Sequence, residues 1–592
     1  MSSGQICLGA HSIDKGFSFG VWAPNANAVS VVGNFNNWDA SLNSLTRNEN
    51  GIWTGDVPNA KFGDEYRFII KSGDNELSRV DPYARAVTNS VGNGILIDLS
   101  FDWNEDQFKL PPRNELVIYE LHIGTFHSPE KNKPGTFKDT IAKLDHLVSL
   151  GVNAIEIMPC AEFAGDYSWG YNPAHIFAVE QAYGGPLGLK ELIKEAHKRG
   201  IGVIFDVVYN HFGPSDLSLW QFDGWSENNK GGIYFYNDWR SATPWGDTRP
   251  DYGRSEVRQF ILDNARYWLK EFHIDGLRLD MTLYIRNVSG DGNPAGDLVD
   301  GWTLTQELNR MVHHEFPGRI TIAEDLQNNE WLTKSEDEGG AGFDLQWDAA
   351  FVHPVRAVAI NPTDEGRSIE ALKNAIGFRY NNDPYERVIY TESHDEVANG
   401  KARVPSEIDV NNPDAWHAKK RATAGIALAL TSPGVPMLFQ GQEFLEDEWF
   451  RDTVPLDWKR LQEYKGIVQM TRDLIRLRLN KGGNTRGLTS SNWSVLAENE
   501  DANLLAFHRW YEGGPGDDVV VLINFSNTDH QSIKMKLPHK GKWSLIFSSD
   551  WKGYSADFEN FSPSQVLVVE GNPVPLPIAP YSVCVLTYDG EQ

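Results

Sequence analysis

The strongest constraint on the fold of this chain is an alternation repeated between residues 114 and 441. Short, nearly continuous apolar runs take turns with longer amphipathic ones. The runs that read as strands are Leu116–His122, Asn153–Pro159, Ile201–Asp206, Ile274–Asp280, Arg319–Glu324, Phe343–Trp347, Arg387–His394 and Pro436–Gly441. Helical periodicity fills most of the intervals, as in Phe137–Leu150, Gly188–Arg199 and Val257–Phe272. Apolar strands alternating with helices predict a parallel sheet covered on both faces. Eight such units suit a closed (β/α)8 barrel, a TIM barrel, better than an open doubly wound sheet. The Gly-rich turn that a dinucleotide-binding open sheet needs after its first strand is missing. An irregular stretch rich in Gly and Trp, residues 211–253, follows the third strand and reads as an insertion.

The regions flanking the barrel have a different period. Phe17–Trp22, Ala28–Val32, Gly51–Val57 and Glu65–Ile70 alternate and are separated by Gly, Asn, Asp and Pro. After a helical Tyr464–Leu479 and the linker Asn480-Lys-Gly-Gly-Asn484, alternation returns in Leu504–Trp510, Asp518–Phe525, Ser532–Leu537, Trp543–Phe547 and Tyr581–Leu586. Both regions read as antiparallel β-sandwiches. A chain of 592 residues exceeds one core, so about three domains are expected. The expected division is an N-terminal β-sandwich over 1–105, the barrel over 106–482 with the insertion 211–253, and a C-terminal β-sandwich over 483–592.

Charge and composition narrow the partners. Lys and Arg number 54 against 81 Asp and Glu, a net charge of −27, which argues against nucleic acid or an anionic membrane as partner. Twenty Trp and twenty Tyr supply flat faces that suit sugar rings as well as cores. Cys7, Cys160 and Cys584 are too few and too scattered for a disulfide framework or a zinc site. Residues 1–10 lack the sections of a signal peptide, and no apolar run reaches membrane-spanning length. A cytoplasmic protein is expected.

Chemistry enters at the strand ends. In a barrel of this kind the C-terminal ends of the strands form the active face. Asp206, Asp280, Glu324 and the pair His394–Asp395 end strands three, four, five and seven. A lone carboxylate there is usually a cap or half of an ion pair. Four converging on one mouth repel each other, which structure alone does not justify. Carboxylates beside His and Arg donors and aromatic platforms fit glycosidic-bond chemistry. A retaining mechanism needs a nucleophilic carboxylate and a protonated one about 5–5.5 Å apart. Asp280 and Glu324 end adjacent strands and meet that need. Arg278, two residues before Asp280, is expected to keep it ionised and aimed. The apolar Ile320, Ile322 and Ala323 before Glu324 are expected to raise it toward the acid role.

The segments Asp206-Val-Val-Tyr-Asn-His211, Gly276-Leu-Arg-Leu-Asp280, Ile322-Ala-Glu324 and Ser393-His-Asp395 resemble, in order and spacing, the four signature regions of the α-amylase family (glycoside hydrolase family 13). The resemblance spans nearly the whole chain. Trp22-Ala-Pro-Asn-Ala26, Gly33-Asn-Phe-Asn-Asn-Trp38 and Asp81-Pro-Tyr-Ala84 look like the glucan-binding-type module, a carbohydrate-binding module, that precedes many members. Trp38 is the expected platform there, unless its tryptophans only serve the core. Position by position, the resemblance implies Asp280 as nucleophile, Glu324 as acid/base and Asp395 as transition-state stabiliser. It implies Asp206, His211, Arg278 and His394 as substrate-binding residues. Trp169-Gly-Tyr-Asn-Pro173 is similar to the family's stacking motif, with Tyr171 under the reacting sugar and Trp169 beside it. Calcium-binding members carry Lys-His after the nucleophile, where this chain has Met281-Thr282. Asn210 matches one calcium-ligand position, but no partners for it are identifiable, so no metal is expected.

Within the family, Asp81-Pro-Tyr, Gly165-Asp-Tyr-Ser-Trp-Gly-Tyr171 and Glu392-Ser-His-Asp-Glu-Val397 look most like 1,4-α-glucan branching enzymes. Asp206-Val-Val-Tyr-Asn-His211 is closer to amylases and maltooligosyl-trehalose trehalohydrolases, which remain the alternative. A non-catalytic glucan-binding scaffold is the alternative of a different class. The branching resemblance implies an α-glucan as donor and acceptor, no organic cofactor, and a monomer.

Overall fold

The computed structural model describes residues 8–559, 565–569, 574 and 576–591; Cys7 lies outside them. Eight parallel strands close into a barrel in chain order: Ile118–Leu121, Ala154–Ile157, Gly202–Val207, Gly276–Leu279, Ile320–Ala323, Leu345–Trp347, Arg387–Ile389 and Val435–Phe439. The eighth pairs with the first, Met437 opposite Ile118. The strands are three to six residues long and buried throughout. Alternate residues face opposite ways, which sorts the side chains into layers. Ile118, Ala154, Ile204, Ile322, Leu345, Val388 and Met437 share one apolar cluster inside the barrel. Two residues further along the same strands stand Glu120, Glu156, Asp206, Glu324, Trp347, Tyr390 and Phe439. The layer above the apolar plug is thus largely polar and aromatic, and it forms the floor of the mouth. The intervening Ile155, Ile157, Phe205, Leu277 and Leu279 belong instead to the large outer core with the helices.

Helices Gly185–Lys198, Ser255–Glu271, Val299–Glu315, Ala349–Ile360, Trp416–Thr431 and Lys465–Arg478 surround the barrel. The helical run expected over Phe137–Leu150 is two helices, Phe137–Ile141 and Leu144–Leu150. Thr136 and Asp139 cap the first reciprocally, and the second stops at Gly151 with φ 100°. Strand seven ends at Ile389 and does not reach His394. Beyond it, side chains take the backbone groups a ladder would use: Arg356 donates to the Thr391 carbonyl at 2.8 Å, and the His394 N–H donates to Glu120 at 3.2 Å.

The N-terminal region is a sandwich of two antiparallel sheets, one containing Phe17–Trp22 and Ile52–Val57, the other Ala28–Gly33 and Glu65–Ser72. The insertion 211–253 is its dock. Asp223 accepts from the Asn25 backbone at 2.8 Å, Arg79 donates to the carbonyls of Gln221 and Phe222 at 2.9 Å, and Trp22 meets Tyr234 edge-on at 5.4 Å.

The C-terminal region is a six-stranded antiparallel sheet that includes Leu504–Trp510, Val519–Asn524, Gly541–Ser548 and Ser582–Gly590. It also holds Asn492–Asn499 and Gln565–Val569, which the sequence reading missed. The strand expected over Ser532–Leu537 is absent: Ile533 makes only an isolated bridge to Val574. The facing segment, bridged at Val574 and Ile578, includes Pro577, and proline has no N–H to give a ladder. Ile533, Met535, Leu537, Val574, Leu576 and Ile578 still cover the sheet as an apolar second layer.

Candidate active site

Arg278 organises the mouth. It sits on strand four opposite Asp206 of strand three and Ile322 of strand five. It is fully buried. Its Nη1 donates to Asp206 Oδ2 at 2.7 Å and to Asp280 Oδ1 at 3.1 Å, and its Nη2 lies 2.7 Å from Glu324 Oε2. Three carboxyl groups from three adjacent strands therefore share one guanidinium, which rests 4.4 Å from the Trp347 ring centre.

Asp280 begins where strand four ends. Met281 behind it is left-handed at φ 36°, and its N–H donates to Glu324 Oε2 at 3.0 Å, tying the two strand ends together. The Asn210 amide donates to Asp280 Oδ2 at 2.7 Å and to its carbonyl at 2.8 Å, while Asn210 Oδ1 engages His211 Nδ1. Both ends of Asn210 are thus used within the protein. Trp245 from the insertion stacks on the His211 ring at 4.5 Å and 14°.

Burial governs the protonation of these groups. It lifts Glu324 to about 8 against the pull of Arg278, with Asp280 and Asp395 adding to the lift. It raises Asp280 to about 6; Arg278 and Asn210 pull it down, Asp206 and Asp395 push it up. Arg278 favours the ionised form of Asp280, as expected, but the same guanidinium is divided among three carboxyls and burial outweighs its pull. Asp206 is likewise raised to about 6 by burial, opposed by Arg278 and the Tyr171 hydroxyl. Burial lowers His211 to about 3.

Tyr171 donates to Asp206 Oδ2 at 2.7 Å and stacks on His394 at 5.0 Å and 23°. Trp169 meets the same imidazole edge-on at 5.8 Å. His394 Nε2 lies 3.6 Å from Asp395 Oδ2, and the Asp395 side chain remains 44% exposed, the most accessible of the mouth carboxylates. Asp206 Oδ1, Glu324 Oε1 and His211 Nε2 are buried without a protein partner. All nine residues singled out in the sequence, Trp169, Tyr171, Asp206, His211, Arg278, Asp280, Glu324, His394 and Asp395, are brought to this one mouth.

The sequence reading missed several neighbours. Glu120 and Glu156 stand on the floor layer, two residues past an inward apolar position, and that spacing was the available signal. Glu392 accepts from Arg403 at 3.0 Å and from the Val404 N–H at 2.7 Å, anchoring the loop that carries His394 and Asp395. Apart from these neighbours, Trp239, Trp331 and Trp449 are exposed on the segments that follow strands three, five and eight. A lone loop tryptophan carries no periodic signal, so nothing in the sequence separates these from core residues. Among the described residues no three His, Cys, Asp or Glu side chains group as a metal site.

Comparison with known proteins covers the same three regions. The model of carbohydrate-binding module 48 (isoamylase N-terminal domain) matches residues 7–84. That of the alpha amylase catalytic domain matches 120–245 and 214–476, and that of the alpha amylase C-terminal all-beta domain matches 494–589. The 1,4-alpha-glucan branching enzyme GlgB of Corynebacterium jeikeium is 31% identical over 570 residues, covering 92% of this chain and 77% of that one. Its counterpart in Oceanobacillus iheyensis is 30% identical over 586 residues, covering 92% and 88%. A pullulanase from Bacillus acidopullulyticus shares the fold with a TM-score of 0.78 at 22% identity, over 98% of this chain and 75% of that one. A pullulanase from Anoxybacillus sp. LM18-11, complexed with maltotetraose, does so with a TM-score of 0.76 at 22% identity, over 98% and 87%.

Proposed function

The chain belongs to the α-amylase family, and within it we propose that the protein is a 1,4-α-glucan branching enzyme. One observation carries the chemistry: a single buried guanidinium holds Asp280 and Glu324 side by side while burial separates their proton affinities. Two carboxyls with divided duties are what a retaining glycosyl transfer requires.

Asp280 attacks the anomeric carbon of a glucose in an α-1,4 chain, and Glu324 gives its proton to the departing glycosidic oxygen. A covalent glucosyl-enzyme results. Glu324, now ionised, takes the proton of an incoming 6-hydroxyl as that oxygen displaces Asp280, leaving an α-1,6 branch. Asp395 and His394 bind the hydroxyls of the reacting ring, Tyr171 stacks beneath it, and Trp169 braces His394. Asp206, Arg278 and His211 complete the sugar subsite, and the unpaired Asp206 Oδ1, Glu324 Oε1 and His211 Nε2 are donors and acceptors a sugar can satisfy. Transfer to a glucan, not to water, is favoured by the two branching-enzyme relatives, each matching across 92% of the chain. The proposal includes domain boundaries near residues 105 and 482, a monomer, and a cytoplasmic location; no helix among the described residues is long and apolar enough to cross a membrane.

Incubation with amylose tests the reading, following reducing ends, iodine absorbance and the anomeric protons of α-1,6 linkages together. Branching predicts falling iodine absorbance and new α-1,6 resonances with almost no new reducing ends. A matching rise in reducing ends without α-1,6 linkages would instead make the protein a hydrolase. No turnover of amylose, with trehalose released from maltooligosyl-trehalose, would make it a trehalohydrolase.

A further inference from the structure

We propose that Glu120, on strand one, is a positioning residue: it holds His394 as a donor through both ring nitrogens, one spent on Glu120 and the other left for Asp395 and the hydroxyls of the reacting sugar. The inference rests on the glycosyl-transfer reading of the mouth. Glu120 grips His394 twice, accepting from its backbone N–H at 3.2 Å and from Nδ1 at 2.5 Å. The two residues are 274 positions apart in the chain, so the contact is built by barrel closure and not by local sequence. The imidazole cannot swing away. Tyr171 covers one face at 5.0 Å, and Trp169 and Trp347 approach at 5.8 and 5.9 Å. With Nδ1 committed, Nε2 is left facing Asp395 at 3.6 Å.

The charge of the ring decides what Nε2 can do. As an imidazolium it donates there. As a neutral ring with its proton kept on Nδ1 by Glu120, it presents a lone pair to the Asp395 carboxylate and to any hydroxyl that needs an acceptor partner. The groups that face it are Glu120 and His122 at the end of strand one, Glu156 on strand two, the Tyr171 hydroxyl at 3.5 Å, Asp206 and Arg278 on strands three and four, and Asp395. Burial and Arg278 favour the neutral ring; Asp395 and Glu120 overcome them and raise His394 to about 9. Glu156 pairs with Glu120 in the strand register, but its Oε2 is buried without a hydrogen-bond partner, and burial pushes its carboxyl well up. Two carboxyl groups thus stand side by side, and only Glu120 touches the imidazole.

The test compares wild type, Glu120→Gln and Glu156→Gln. The His394 ring is followed by NMR of histidine-labelled protein between pH 5.5 and 9.5 without substrate, assigned with His394→Gln, and kcat and KM on amylose are measured across the same range. In Glu120→Gln the amide can still accept a hydrogen bond but carries no charge. That variant is expected to drop the imidazole midpoint by about two pH units, toward the ordinary value near 6.5. It is also expected to lower kcat/KM about 10- to 100-fold at pH 8, and less than about threefold at pH 5.5. Glu156→Gln removes a carboxyl at the same level that does not touch the imidazole, and should leave the midpoint as in wild type. Glu120→Asp keeps the charge and should recover most of the activity at pH 8, which also serves if the Gln variant does not fold. An unmoved midpoint in Glu120→Gln would overturn the proposal. So would an equal loss of activity at every pH, or an Asp variant no better than Gln. The NMR titration needs no turnover, so its result stands whether or not the protein proves to be a branching enzyme.

Discussion

Glu324 and Asp280 share one arginine, yet their surroundings place them on opposite sides of neutral pH. Glu324 is 1% exposed and lifted to about 8, so at pH 7 it holds the proton a leaving oxygen needs. Asp280, raised only to about 6, has given its proton up by then. The active form therefore has Asp280 ionised and Glu324 protonated. kcat/KM should rise as pH climbs through about 6 and fall as it climbs through about 8, a bell whose two limbs belong to the coupled pair. Glu324→Gln should cut turnover of glucan about 10²- to 10⁴-fold and abolish the alkaline limb. A donor whose leaving group needs no proton, such as α-glucosyl fluoride, should still glucosylate Asp280 in that variant. Activity on amylose within tenfold of wild type would remove Glu324 from the acid role.

At the scale of elements, the insertion after strand three is structural as much as it is a wall of the mouth. Arg249 is fully buried and donates to no carboxylate among the described residues. Its guanidinium instead collects backbone carbonyls: Arg240 at 2.7 Å, Ala242 at 2.6 Å, Val288 at 2.8 Å, Asn287 at 3.3 Å, and Tyr284. Those carbonyls belong to the insertion and to the turn that closes the helix Thr282–Arg286, which starts two residues after Asp280. The arginine therefore pins the insertion to the element that aims the proposed nucleophile. Arg249→Met keeps the bulk and removes every donor, leaving buried carbonyls unpaired. It should cost about 3 kcal/mol of stability, read from denaturant midpoints, and lower kcat more than it raises KM. A variant as stable as wild type would mean that the carbonyls find other donors.

At the scale of the whole molecule, the N-terminal module is bolted to the barrel through the insertion, so its role divides into support and binding. Trp38 separates the two. It follows Asn37 in consecutive left-handed positions, φ 53° and 63°, and stands 41% exposed, while Trp22 and Trp53 are in the core. A backbone conformation uncommon for such residues holds a large aromatic face in the open, where a sugar ring can stack. Trp38→Ala should weaken retention on amylose by about 1 kcal/mol, roughly fivefold, with kcat on short maltooligosaccharides and thermal stability unchanged. Equal loss on short substrates, or none on amylose, would return this tryptophan to a packing role.

By itself the sequence determined the class of fold, the order of its parts and nine of the residues that meet at the mouth. Apolar period and strand-end position are local properties, and Asp206, Asp280 and Glu324 each stand within or directly after a strand whose pattern is readable in a window of a few residues. Tertiary structure decided what depends on contacts between distant segments. The polar floor of Glu120 and Glu156 exists only because closure of the barrel brings strand one beside both strand two and the loop of strand seven. The division of Arg278 among three carboxyls, and hence the rise of Asp280 to about 6, follows from burial that no residue carries alone. The end of strand seven at Ile389, and the loss of a ladder over Ser532–Leu537, were set by partners elsewhere: guanidinium and carboxylate groups that took the backbone bonds in one case, and a facing segment whose Pro577 has no N–H to supply in the other.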